Sequence, residues 1–194
     1  MRVYSHFSVN TLSNTYLVAL RSRTAILIDP SSFDAELLEL IEHHRYDVCC
    51  ILLTHADDHH LQGLHAIKRV YTGTEIFSAV PRVLDYPATR VAAGESIAVG
   101  EKSISTIGLP GHGSDRIAFL IGGFLFCGPA LSAGELGTVS NPYAKAILLA
   151  NIADTVFALP DETVILPYYG PPTTVGVERV TLPTEDPTEL SGLS

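Results

Sequence analysis

The stretch Val48-Cys49-Cys50-Ile51-Leu52-Leu53-Thr54-His55-Ala56-Asp57-Asp58-His59-His60 passes from a short apolar run straight into a cluster of imidazoles and carboxylates. An apolar run of this length, bounded by polar residues, reads as a strand buried on both faces. Its end at Leu53 therefore delivers the cluster to one edge of a sheet. His55, Asp57, His59 and His60 are four potential metal ligands within six residues, and Asp58 adds a further acid. Imidazole and carboxylate are ligands for zinc, iron or manganese, and a loop can converge side chains that a regular element keeps apart. The alternative reading is a polar, histidine-rich helix start with Asp57 or Asp58 as its N-cap.

Working outward, residues 3–9, 16–19 and 25–28 are short β-branched runs separated by turn signals, and predict strands of one meander ending at Asp29-Pro30. Ser31-Ser32 offers an N-cap, after which Phe33, Leu37, Leu38, Leu40 and Ile41 repeat on one helical face up to His43-His44. Further strands are predicted at 75–80, 96–99 and 103–109, and Pro110-Gly111-His112-Gly113 reads as a turn. Residues 116–121 and 124–127, joined by Gly122-Gly123, carry a hairpin signal. Residues 143–159 predict a helix and 163–166 a strand, before a break at Pro171-Pro172. The tail from about residue 180 to 194 reads as a short helix start or a loose end. Strands, then a helix, then a strand in each half suit two packed sheets with helices outside: an α/β, four-layer αββα sandwich in a single domain over residues 1–194.

Composition narrows the partners. At 46 % hydrophobic and 17 % charged, the 194 residues can bury a core without staples. Twelve Lys+Arg against twenty-one Asp+Glu leave a net charge of −9 with no basic run, which argues against nucleic acid. Three cysteines, two of them adjacent at Cys49-Cys50, make a poor disulfide framework and predict a reducing compartment. No apolar leader core and no run near eighteen apolar residues is found, so neither a signal peptide nor a membrane span is expected and the prediction is cytoplasmic. A mean hydropathy of +0.26 in so short a chain suggests apolar surface that a homodimer would cover.

Of the remaining histidines, His112 sits between two glycines on a turn whose backbone can approach other groups closely, which suits a ligand, although alone it reads as an ordinary turn residue. His43 and His44 close a predicted helix, where a cation meets the dipole favourably. His6 and His65 have no partner at ligand spacing and are assigned to surface or helix packing.

Asn14-Thr15-Tyr16-Leu17-Val18, Ile28-Asp29-Pro30, Ile51-Leu52-Leu53-Thr54-His55, Pro110-Gly111-His112, Leu125-Phe126-Cys127-Gly128, Leu159-Pro160-Asp161-Glu162-Thr163, Pro167-Tyr168-Tyr169-Gly170-Pro171, Thr173-Thr174 and Glu178 follow one another in a distinctive order. In that order and spacing the chain resembles the metallo-β-lactamase superfamily, particularly its hydroxyacylglutathione-hydrolase-like branch. The resemblance implies the αββα fold and a metal-activated hydroxide in a shallow groove at one edge of the sandwich. The family's loop reads Thr-His-x-His-x-Asp-His, with a Gly after two further residues, and Thr54, His55, His60 and Gly63 keep those places. Asp57 stands where the second histidine belongs and His59 where the aspartate belongs. His112 keeps the third-motif histidine, but Pro129 replaces the carboxylate that bridges two metals and Tyr169 replaces the last histidine.

By this resemblance, His55, Asp57 and His112 survive as a two-histidine, one-carboxylate set for one divalent ion, zinc foremost with iron or manganese as alternatives. His59 and His60 complete that site, hold a second ion weakly or hydrogen-bond to ligands. Asp57 is the candidate to orient water or act as base, and Tyr169 is a phenolic donor near a small-molecule substrate or else packing. Cys127 shares a strand face with position 129 and is either a thiolate near the metal or a small buried apolar side chain. The leading expectation is a mononuclear metal-dependent hydrolase of an ester, thioester or phosphoester. Its rivals are a catalytically silent member of the fold that binds a ligand or partner, and a mononuclear iron redox enzyme.

Overall fold

The meander predicted at the start of the chain forms one half of the first sheet. The computed structural model describes residues 1–57, 61–111 and 116–182. In it β1 (Arg2–Ser8), β2 (Ser13–Ala19) and β3 (Thr24–Ile28) pair antiparallel. From β3 the chain crosses through α1 (Ala35–His44) to β4 (Asp47–Leu52), then through α2 (Leu64–Val70) to β5 (Glu75–Ser78). These are two crossover units, so β3, β4 and β5 are parallel. A small ribbon, β6 (Arg82–Val83) with β7 (Tyr86–Pro87), precedes β8 (Thr89–Arg90), which closes the order β1-β2-β3-β4-β5-β8.

The second sheet is built from β9 (Ser96–Val99), β10 (Lys102–Gly108), β11 (Ile117–Ile121) and β12 (Phe124–Gly128), each antiparallel to the next. A second ribbon, β13 (Leu131–Ser132) with β14 (Glu135–Leu136), leads into α3 (Pro142–Asn151). The chain then returns as β15 (Val164–Pro167), parallel to β12, and ends the sheet with β16 (Thr173–Thr174) before α4 (Val175–Thr181).

Side-chain alternation divides the apolar residues into three layers. Tyr16, Ile26, Leu52, Phe119, Phe126 and Leu166 belong to the core between the sheets. Leu17, Leu27 and Ile51 face the other way and pack on Leu37 and Ile41 of α1 and Leu64 and Ile67 of α2. Ala118, Leu125 and Ile165 likewise leave the second sheet outward to meet Leu148 of α3, and Ile152 and Val175 join that layer. Helices cover both outer faces, so the architecture is the αββα sandwich expected from the sequence. Period-two alternation fails once on β4: Val48 packs outward whereas Cys50 and Leu52 pack inward. The register with β3 shifts between Ala25 and Ile26, and the bulge inserts Cys49 and inverts the parity.

Three local expectations need correction. The cap of α1 is Asp34, whose Oδ1 accepts from the Leu37 amide at 2.9 Å. Ser31 is instead buried, its hydroxyl within 2.8 Å of those of Thr11 and Ser13. The helix predicted over 143–159 is α-helical only to Asn151 and then widens into a π-helical turn at Ile152–Val156, where the Thr155 hydroxyl donates to the Asn151 carbonyl at 2.6 Å. The strand predicted over 75–80 stops at Ser78. After the Pro171-Pro172 break, Thr174 caps α4 by accepting from the Val177 amide. The tail beyond residue 182 lies outside the described residues. Among the described residues no helix is long and apolar enough to cross a membrane.

Candidate functional site

β4 ends one residue short of a tightly bonded corner. The Thr54 amide donates to Asp29 Oδ1 at 2.8 Å, and the Thr54 hydroxyl donates to Asp29 Oδ2 at 2.7 Å. Asp29 itself follows β3 in the left-handed region, at φ 49, a conformation that aspartate tolerates better than most side chains. Burial pushes its carboxyl up to about 7, against the two Thr54 bonds and the Arg116 charge that pull it back down. His55 Nδ1 lies 2.8 Å from the Thr54 hydroxyl oxygen. A hydroxyl has one proton, and with Asp29 ionised that proton is already given to the carboxylate. In that state the imidazole donates from Nδ1, which leaves the lone pair on Nε2, and with the carboxyl raised to about 7 that state dominates on the alkaline side of neutral. This is the tautomer a metal-binding histidine needs, set by a group behind it.

His55 is buried, and its ring stands edge-on to Tyr168 with centroids 4.9 Å apart. Tyr168, whose phenol burial raises to about 12, in turn meets the ring of Tyr169 at 4.7 Å. Gly128 makes the approach of the two sheets possible: its φ is 60, and a Cβ there would lie 2.2 Å from the Thr54 hydroxyl oxygen. Pro129 follows immediately. Asp57, Pro129, Ser132, Glu135, Thr138 and Tyr169 line an open groove of about 310 Å³. Three positions widely separated in the sequence, Asp57, Pro129 and Tyr169, thus share one wall system. The Tyr169 phenol is held above its ordinary value, first by partial burial and then by the Asp57 charge, with Arg116 opposing.

Sequence reasoning missed Arg116. Its Nη2 donates to Asp57 Oδ2 at 2.7 Å, and only 10 % of its side chain is exposed against 43 % for Asp57. The sole hint was a single basic residue four positions after His112, opening an apolar run. His55 through Nε2 suits a divalent ion, whereas Asp57 is already held by a cation. Asp58, His59, His60 and His112 lie outside the described residues. Among the described residues, no three His, Cys, Asp or Glu side chains gather at metal-binding spacing.

The other candidates take their plainer readings. Cys127 packs in the layer outside the second sheet, its thiol bonded to the Leu131 carbonyl at 3.3 Å and pushed up to about 12 by burial, so it is not a thiolate. His6 pairs with Asp34 at 3.0 Å, and His65 Nδ1 lies 2.8 Å from the Tyr86 hydroxyl. His43 and His44 are in the last turn of α1.

No family model matches the chain. The hydroxyacylglutathione hydrolase of Pectobacterium carotovorum is 26 % identical over 160 residues, covering 81 % of this chain and 62 % of that protein. The chain thus spans about three fifths of the length of the curated relatives it matches. In three dimensions a metallo-β-lactamase from Staphylococcus aureus superposes with a TM-score of 0.84 at 17 % identity, over 98 % of this chain and 66 % of its own. A second neighbour, TTHA1623 in a di-iron-bound form, reaches a TM-score of 0.76 at 25 % identity, over 93 % of this chain and 98 % of its own.

Proposed function

We propose that this chain, which has the metallo-β-lactamase fold and counts hydroxyacylglutathione hydrolases among its sequence relatives, is a metal-dependent hydrolase that holds one divalent ion at the end of β4. The observation that carries the reading is the chain of contacts from Asp29 through Thr54 to His55 Nδ1, which supports Nε2 as the lone-pair donor at the sheet edge when Asp29 is ionised. His55, Asp57 and His112 are the proposed ligands, with Asp57 using the carboxylate it shares with Arg116, while His59 and His60 complete the site, hold a second ion weakly or hydrogen-bond to ligands. The ion would be zinc, with iron or manganese as alternatives, and when bound would supply Lewis acidity and lower the pKa of water for attack on an ester, thioester or phosphoester.

The chain's own groups do the rest. Tyr169, kept protonated, donates a hydrogen bond to a substrate oxygen in the groove it lines with Asp57. Asp57, at the groove wall, orients water or takes its proton insofar as its carboxylate is not fully committed to the ion. An open groove of this size accepts small or extended substrates rather than enclosing them.

The test is metal analysis of purified protein and of His55→Ala, paired with hydrolysis assays on a panel of thioesters and phosphodiesters. The proposal expects about one equivalent of metal, lost in the variant together with hydrolysis. A metal-free wild type of unchanged stability in His55→Ala would overturn it. The Arg116–Asp57 pair is the one observation that favours a second reading, a catalytically silent protein that keeps the groove for a ligand, because a carboxylate neutralised by arginine has less need of a metal. Iron with redox activity and no hydrolysis would point to the third chemistry weighed above.

A further inference from the structure

We infer that Arg116 is a resident cation of the site, competing with a metal ion for the carboxylate of Asp57 and so setting how tightly this chain takes up metal. The inference rests on the reading of the β4 loop as metal-binding, and on three structural facts that do not depend on that reading.

The first is contact. Arg116 Nη2 bonds Asp57 Oδ2 at 2.7 Å, the length of a charge-assisted bond. The second is fixity. Arg116 precedes β11, where its carbonyl accepts from the Leu109 amide at 3.1 Å and the next amide, of Ile117, donates to the Thr54 carbonyl at 3.1 Å. The residue is thereby tied to the strand end that carries His55, and with 10 % of its side chain exposed the guanidinium has little room to swing into water. The third is permanence. A guanidinium does not lose its proton in the working range of pH, so its charge is present whether or not a metal arrives.

A divalent ion that uses Asp57 must therefore either displace a part-buried, charge-assisted bond or settle beside a fixed positive charge in a partly desolvated site. Both weaken binding, the second the more so because burial reduces screening. The guanidinium also supplies what a metal would otherwise supply when none is bound: it neutralises Asp57. A hydrogen bond to a ligating carboxylate commonly strengthens metal binding by orienting it. Here the donor is a full cation, and the net effect on affinity has the opposite sign.

The experiment measures zinc affinity and stoichiometry by competition with a chromophoric chelator for wild type, Arg116→Gln, Arg116→Lys and the double variant Arg116→Gln with Asp57→Asn, with circular dichroism as the folding control. Arg116→Gln is expected to bind zinc at least tenfold more tightly than wild type. Arg116→Lys, which keeps the charge, stays within about threefold of wild type, and Asp57→Asn cancels the gain. Arg116→Met, which keeps the buried stem without the charge, replaces the glutamine variant if that one does not fold. Equal or weaker binding in the neutral variant overturns the inference and makes Arg116 a group that merely orients Asp57. A wild type with one equivalent of zinc and no change in Arg116→Gln leaves the hydrolase proposal standing while this inference falls. A metal-free wild type whose Arg116→Gln variant takes up zinc does the reverse.

Discussion

Replacing Thr54 by valine should damage the protein far more than its size suggests. Valine keeps the volume and branching of threonine and removes only the hydroxyl, which donates to Asp29 Oδ2 at 2.7 Å and lies 2.8 Å from His55 Nδ1. A hydrogen bond to a charged group contributes about 1.5–3 kcal/mol, and one between neutral groups about 1 kcal/mol. Asp29 is buried and keeps the Thr54 amide as a donor, so it does not lose all its bonding. The loss should therefore fall at about 2–4 kcal/mol, or a drop in Tm of about 5–15 °C for a domain of this size. Thr54→Ser, which deletes a methyl and keeps the hydroxyl, should cost only about 1 kcal/mol. Urea denaturation followed by circular dichroism measures both variants. Because the hydroxyl also sets the His55 tautomer, Thr54→Val should weaken zinc binding by about 10- to 100-fold, and Thr54→Ser should not. A valine variant within about 0.5 kcal/mol of wild type, or a serine variant equally unstable, would refute the account of this corner.

Gly128→Ala should fail at the same place from the other side: the new methyl would sit 2.2 Å from the Thr54 hydroxyl oxygen at a residue with φ 60, so a loss of at least about 2 kcal/mol is expected in the same denaturation assay. Asp34→Ala should cost about 1 kcal/mol at neutral pH through loss of the α1 cap. Slight burial works to raise the Asp34 pKa, but the Leu37 amide and His6 outweigh it and hold the value low. A carboxyl whose folded pKa is depressed contributes stability above its unfolded value near 4 and loses it as pH falls through the folded value, so the gap between wild type and Asp34→Ala should close on acidification below about pH 4. Denaturation midpoints at a series of pH values test this, and a gap that widens in acid contradicts it.

Much of the fold was legible because it depends on periodicity. The short β-branched runs at 3–9, 16–19 and 25–28, set off by turn signals, became β1, β2 and β3, and the apolar run before Thr54 became a central parallel strand, since burying both faces requires apolar residues throughout. What escaped was governed by single atoms. Ser31-Ser32 and Asp34 are all competent caps, and only the path of the chain toward α1 decides which carboxylate or hydroxyl oxygen meets the Leu37 amide. The inversion of parity on β4 depends on one inserted residue, Cys49, that no local pattern marks. The side that Cys127 faces was open until the layer packed on β12 was known.

Taken alone, the order of residues determined the layered αββα architecture and the position of a His- and Asp-rich loop at the end of a buried strand, because hydrophobic periodicity and turn chemistry are local and repeat along the chain. The tertiary structure decided that Asp57 is shared with Arg116, fifty-nine residues away, and that Asp29 reaches through Thr54 to orient His55. Charges and hydrogen bonds act through space over a few ångströms, and the separation of two residues along the polypeptide carries no record of that distance until the sheets are packed.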